Sequence, residues 1–163
     1  VNGREEILFG HADGTITKYP DKIIGTENDS IESIICTKEG FIISLENGDL
    51  VSRNSDYTEN WRANCGKITT HCDGFSSLHW SGIIHEGSGN IEVRDSSGQI
   101  IAKAKTPVPR VSTSLEQRVA FGLDDGQIFV WESDLFDRRK DTNSEAVDSR
   151  KSALSARVRS LRK

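Results

Sequence analysis

Apolar and polar positions alternate along this chain in short runs, with no sustained helical stripe before residue 140. Four thirteen-residue segments align without gaps: Ile7–Tyr19, Phe41–Arg53, Gly82–Arg94 and Val119–Trp131. Each opens on a nearly continuous apolar run, such as Ile7-Leu8-Phe9 or Val119-Ala120-Phe121. Each then passes a Gly at one shared place (Gly14, Gly48, Gly89, Gly126) and has an aliphatic residue two positions on (Ile16, Leu50, Ile91, Ile128). The second half alternates, as in Asn90-Ile91-Glu92-Val93. A continuous apolar run predicts a strand buried on both faces, and alternation predicts one nearer solvent. The pairs Asp13-Gly14, Asn47-Gly48, Ser88-Gly89 and Asp125-Gly126 predict the intervening turns, because a tight hairpin needs positive φ.

The four glycines are spaced by 34, 41 and 37 residues. Between hairpins lie further strand candidates at 22–24, 31–35, 99–101 and 111–113, whereas residues 65–79 have weak strand character. Four short strands per period, separated by turn residues, predict an all-β array of four-stranded antiparallel sheets. The first strand of each hairpin is read as an inner strand of its sheet.

The run from Val119 to Ser133 resembles a WD-repeat β-propeller blade, with Asp125-Gly126 in the turn and Trp131-Glu132 at the signature dipeptide. Tyr19-Pro20, Arg53-Asn54 and Arg94-Asp95 stand at the same place in the other copies, and the upstream Gly-His pair of many such blades is absent. The stretch from Gly89 to Ile100 is similar to blades of quinoprotein-type propellers as well. The resemblance covers about residues 5–134 and implies three and a half blades of a partial propeller, near the low end of the ~4–8 of a closed ring. It implies a larger ring completed by missing chain, by a partner or by a second copy. It also implies a non-enzymatic platform for protein partners, on which Tyr19, Arg53, Arg94 and Trp131 either form a ring of contact residues or cap the packing between blades. The alternatives are a propeller domain cut from a larger enzyme or sensor, and an adaptor for nucleic acid or anionic membrane.

Composition refines this picture. Of 163 residues, 34% are hydrophobic and 28% charged, enough for a core, and no apolar run approaches the ~20 residues of a membrane-spanning helix. No signal peptide opens the chain, which begins with Val and has no Met, so a piece of a longer protein or an unusual start codon is expected. Cys36, Cys65 and Cys72 are odd in number and lack a C-x-x-C spacing, which favours a reducing, cytoplasmic setting.

Charge divides the chain. Residues 138–163 hold nine basic and three acidic side chains, whereas residues 1–137 hold 12 and 22. A body over residues 1–134 and a basic tail over 135–163 are expected. In the tail, Thr142 and Glu145 match a capping box, and Val147, Leu154 and Leu161 recur every seven residues, predicting a helix over 143–162. Arg150, Lys151, Arg157, Arg159, Arg162 and Lys163 are its candidate contacts for a partner, nucleic acid or membrane surface.

Motifs for nucleotide binding or hydrolytic chemistry do not occur, and no small-molecule substrate, cofactor or catalytic residue is assigned. Cys65, His71, Cys72, His79 and His85 are zinc-type ligands, but their spacing fits no zinc pattern, and adjacent His71 and Cys72 would face opposite ways in a strand. His85, aligned with Gly10, Ser44 and Gly122, is expected to extend toward a central channel.

Overall fold

The computed structural model describes residues 7–138. The expected tail helix, with Arg150, Lys151, Arg157, Arg159, Arg162 and Lys163, lies outside the described residues. Compactness divides the chain into units over Val1–Val130 and Trp131–Lys163, and a helical segment begins at residue 133, just after the last strand.

The described strands form four separate antiparallel sheets. Sheet one is β1 (Leu8–Gly10), β2 (Thr15–Lys18) and β3 (Lys22–Thr26). Sheet two is β4 (Ile31–Cys36), β5 (Gly40–Leu45), β6 (Asp49–Asn54) and β7 (Glu59–Asn64). Sheet three is β8 (Lys67–Asp73), β9 (His79–His85), β10 (Ser88–Arg94) and β11 (Ile100–Thr106). Sheet four is β12 (Pro109–Leu115), β13 (Arg118–Leu123) and β14 (Ile128–Glu132). Within each sheet, strand order follows chain order, and β4, β8 and β12 neighbour one another in turn.

The apolar hairpin strand is the second strand of sheets two, three and four and the first described strand of sheet one. In sheet two, β4 lies inside β5. Burial of β5 on both faces follows from its central place and from the sheets on either side. Phe41, Ile43 and Leu45 pack with Ile16 of sheet one, while Ile42, between them in sequence, packs with Leu50, Ile68 and Ile83 toward sheet three. This is the period-two alternation of a strand with both of its faces covered.

Residues 65–79 contribute a full strand, β8, where the sequence shows little strand character. Its β-branched Ile68, Thr69 and Thr70 suit a pleated surface. Its polar side chains find partners across the seams: Thr70 Oγ1 lies 2.7 Å from Ser112 Oγ.

The third hairpin departs from the ungapped alignment. Its turn is Glu86-Gly87, both at positive φ (50° and 75°), and Ser88 pairs with His85, so Gly89 lies within β10 and not in the turn. Ile91 pairs with Gly82 as Ile16 pairs with Gly10 and Leu50 with Ser44. The second strand keeps its alignment, but the first is displaced by three residues that lengthen the hairpin. Gly82, not His85, matches Gly10, and His85 stands exposed near the hairpin tip.

Gly89 keeps its place for another reason. A Cβ there would sit 2.2 Å from the carbonyl oxygen of Pro107, in the segment crossing to the next sheet. At Gly48 it would sit 2.3 Å from that of Gly66, and at Gly14 2.5 Å from that of Glu27. The shared glycine admits the crossing segment against the hairpin.

Candidate functional site at the sheet seams

Side chains that could carry chemistry or binding collect where one sheet faces the next. At the seam of sheets one and two, the segment after β3 delivers Glu27, whose carboxylate is almost fully enclosed. Arg53 Nε donates to Glu27 Oε1 at 2.5 Å and its Nη2 to Oε2 at 3.1 Å, while Arg62 Nη2 donates to Oε2 at 2.8 Å. Tyr57 donates its hydroxyl to Oε1 at 2.8 Å, and its ring lies 4.4 Å beneath the Arg53 guanidinium. Glu59 accepts from both arginines, and Asp49 from Arg62. Burial disfavours the Glu27 charge, but donors from Arg53, Arg62 and Tyr57 outweigh it and hold the carboxyl below its usual range. Burial and the adjoining carboxylate push the Tyr57 hydroxyl far above its own. Every charge here is answered by another, so the cluster fixes the seam and offers no reactive group.

Arg94 repeats part of this arrangement one sheet later. Its Nη1 donates to the carbonyl of Gly98 at 3.0 Å, as Arg53 Nη1 donates to Tyr57 at 3.1 Å, each clamping the turn four residues ahead. Its Nη2 reaches Glu92 at 2.8 Å and Cys65 Sγ at 3.3 Å, and the whole residue is buried. The four equivalent positions thus have unlike surroundings. Arg94 is enclosed, Arg53 is engaged by Glu27, Trp131 is partly buried in β14, and Tyr19 stands largely exposed before a cis proline.

At the seam of sheets two and three, His71 of β8 meets His79 of β9 edge to face, with ring centroids 5.3 Å apart, and Trp61 tilts against His79 at 6.3 Å. Ser33 shares hydrogen bonds with His71 Nε2 and, at 2.7 Å, with Ser44. His71 Nδ1 and both ring nitrogens of His79 are buried without a partner. Burial drives the His71 pKa down to about 4 and that of His79 well below the ordinary histidine value. Both rings are neutral at neutral pH. His79 borders a shallow cleft with Lys38, Asn60, Trp61 and Asp73. Burial raises the Asp73 carboxyl above its usual range against the opposing Lys38 charge. Among the described residues no three His, Cys, Asp or Glu side chains gather as a metal-binding group. The zinc-type residues of 65–85 disperse: Cys65 contacts Arg94, His85 sits beside Glu86, and only His71 and His79 meet.

Sequence reasoning missed His79 as a core residue because the three-residue displacement hid its alignment. With the register corrected, it takes the place of Phe41 and Val119, and that slot is buried in all three sheets.

Among the described residues, the outward faces of sheets one and four lack such cover. Ile128 is 71% exposed, although its repeat equivalents Ile16, Leu50 and Ile91 are at most 1% exposed. Val111, Leu115 and Val130 of the same sheet are also exposed. On sheet one, Phe9 is 48% exposed, where its equivalents Ile43 and Phe121 show none. Ile7 and Ile23 are likewise open.

No family model and no curated protein matches the chain. Solved structures do. Sqt1 of Saccharomyces cerevisiae superposes with a TM-score of 0.66 at 12% identity, over 81% of this chain and 43% of its own. The WD40 β-propeller domain of Doa1 gives 0.62 at 15%, over 80% and 47%. The computationally designed Ika4 protein gives 0.64 at 19%, over 80% and 86%. These likenesses establish the fold: all-β sheets stacked as in a WD40 propeller, as the repeat resembled. The chain spans less than half the length of the Sqt1 and Doa1 chains it matches.

Proposed function

We propose that this chain is a non-enzymatic interaction scaffold, a WD40-like propeller segment that works as part of a larger protein assembly. The carrying observation is the exposure of Ile128, a position buried in the three preceding repeats and packed on the following sheet at Ile16 and Leu50. An apolar sheet face left open is an association surface. The buried charges support the same reading, since Arg53, Arg62 and Arg94 are spent on Glu27, Glu92 and turn carbonyls rather than held toward a ligand. Cys36, Cys65 and Cys72 are all unpaired, which suits a reducing compartment such as the cytoplasm. Among the described residues no helix is long and apolar enough to cross a membrane.

The test is the state of the purified chain in solution. A scaffold segment of this kind forms a defined complex through its end faces, and Ile128→Glu dissolves that complex. A monomer with a single cooperative unfolding transition, unaffected by Ile128→Glu, refutes the reading.

A further inference from the structure

Each internal seam joins a forward face of one sheet to a backward face of the next. In the first, Leu8 and Ile16 meet Phe41, Ile43 and Leu45. In the second, Ile42 and Leu50 meet Ile68 and Ile83. By the same register, Ile128 and its neighbours form an unmatched forward face on sheet four, and Ile7 and Phe9 an unmatched backward face on sheet one. The two open faces are of complementary kind, because their repeat equivalents pack against each other inside the chain. Building on the scaffold reading, we infer that the occupant of both faces is a second copy of this chain. Sheet four of each copy packs on sheet one of the other.

Three observations favour this occupant. A second copy brings the backward face that Ile128 lacks and the forward face that Phe9 lacks, so both are covered with nothing else added. A head-to-tail contact of this kind forms a ring only where its rotation closes, so a two-copy ring requires that two identical junctions close it. Two copies supply eight sheets, within the ~4–8 of closed propellers. In length, one copy matches 43% of the Sqt1 chain and 47% of the Doa1 chain, so two approximate one such ring.

The experiment uses the full 163-residue chain in sedimentation equilibrium and light scattering. The expected mass is twice 18.1 kDa. Ile128→Glu alone and Phe9→Lys alone each spoil both junctions and weaken association by about 100-fold or more, as central apolar anchors do. Circular dichroism confirms that each variant retains its strands. Mixing the two variants restores the two-copy species, because the pair has one native junction and one Glu–Lys junction. Failure of the mixture to recover that mass overturns the proposal, as does a two-copy species indifferent to both substitutions. A chain that is one-copy alone, but is captured stoichiometrically through Ile128 by further blades encoded beside it or by a different protein, overturns the second copy and leaves the scaffold reading standing. A stable monomer indifferent to Ile128→Glu overturns both.

Discussion

His71 and His79 stand edge to face, 5.3 Å between ring centroids, inside a seam that leaves His71 Nδ1 and both His79 ring nitrogens without a hydrogen-bond partner. Burial lowers both pKa values, that of His71 to about 4, from the ~6.5 of an unfolded chain. Between pH 6.5 and about 4 the unfolded chain binds protons that the folded one refuses. Stability is therefore complete above pH 6.5 and declines as pH falls, by about 1.4 kcal/mol per pH unit for each ring. Denaturant midpoints at pH 8 and pH 5 measure the decline. His79→Phe, which installs the residue found at Phe41, roughly halves the slope; an unchanged slope assigns the effect elsewhere.

Glu27 answers two arginines and a tyrosine at once. Glu27→Gln removes the charge but nearly keeps the shape, leaving Arg53 facing an amide in an enclosed seam. The expected cost is about 3 kcal/mol, at the low end for a broken buried pair because Glu59 still accepts from both arginines. The carboxyl's lowered pKa adds stability that is present above the ordinary glutamate range and lost as pH falls through the folded value. Urea titration of the variant reads the cost, and a change below about 0.5 kcal/mol places this ion pair with ordinary surface pairs.

Gly48 and Gly126 share a φ of +86°, but only Gly48 has backbone in the way of a Cβ. Gly126→Ala should cost about 1–2 kcal/mol, the left-handed penalty alone. Gly48→Ala must also displace the carbonyl of Gly66 and should cost clearly more. Equal losses in thermal unfolding of the two variants would mean that turn conformation, not the crossing segment, keeps the glycine.

The three thiols differ in access. Cys36 is exposed, whereas burial encloses Cys65 and Cys72 and pushes both thiol pKa values up, that of Cys72 to about 11. Brief alkylation of the native protein at pH 8 should give one adduct, at Cys36, and three after unfolding. Fast labelling of Cys72 in the native protein would show that β8 is not packed under sheet four.

Local pattern carried the hairpins. Asx-Gly pairs mark the turns before β2, β6 and β14, and the aliphatic residue two places past the shared glycine marks those strands and β10, since turn chemistry and alternation depend on neighbours a few residues away. The third hairpin turn was misread because Gly87 and Gly89 both punctuate the sequence, and only pairing of Ser88 with His85 distinguishes them. What the chain could not disclose locally depends on what stands across a seam. Arg53 finds Glu27 at a separation of 26 residues, and His79 becomes core because β9 shifts by three. Ile91 and Ile128 are the same residue at the same repeat position, yet one is sealed and the other open. Side-chain identity and period set which way a residue points; burial is settled by the next sheet, which no window of neighbouring residues contains.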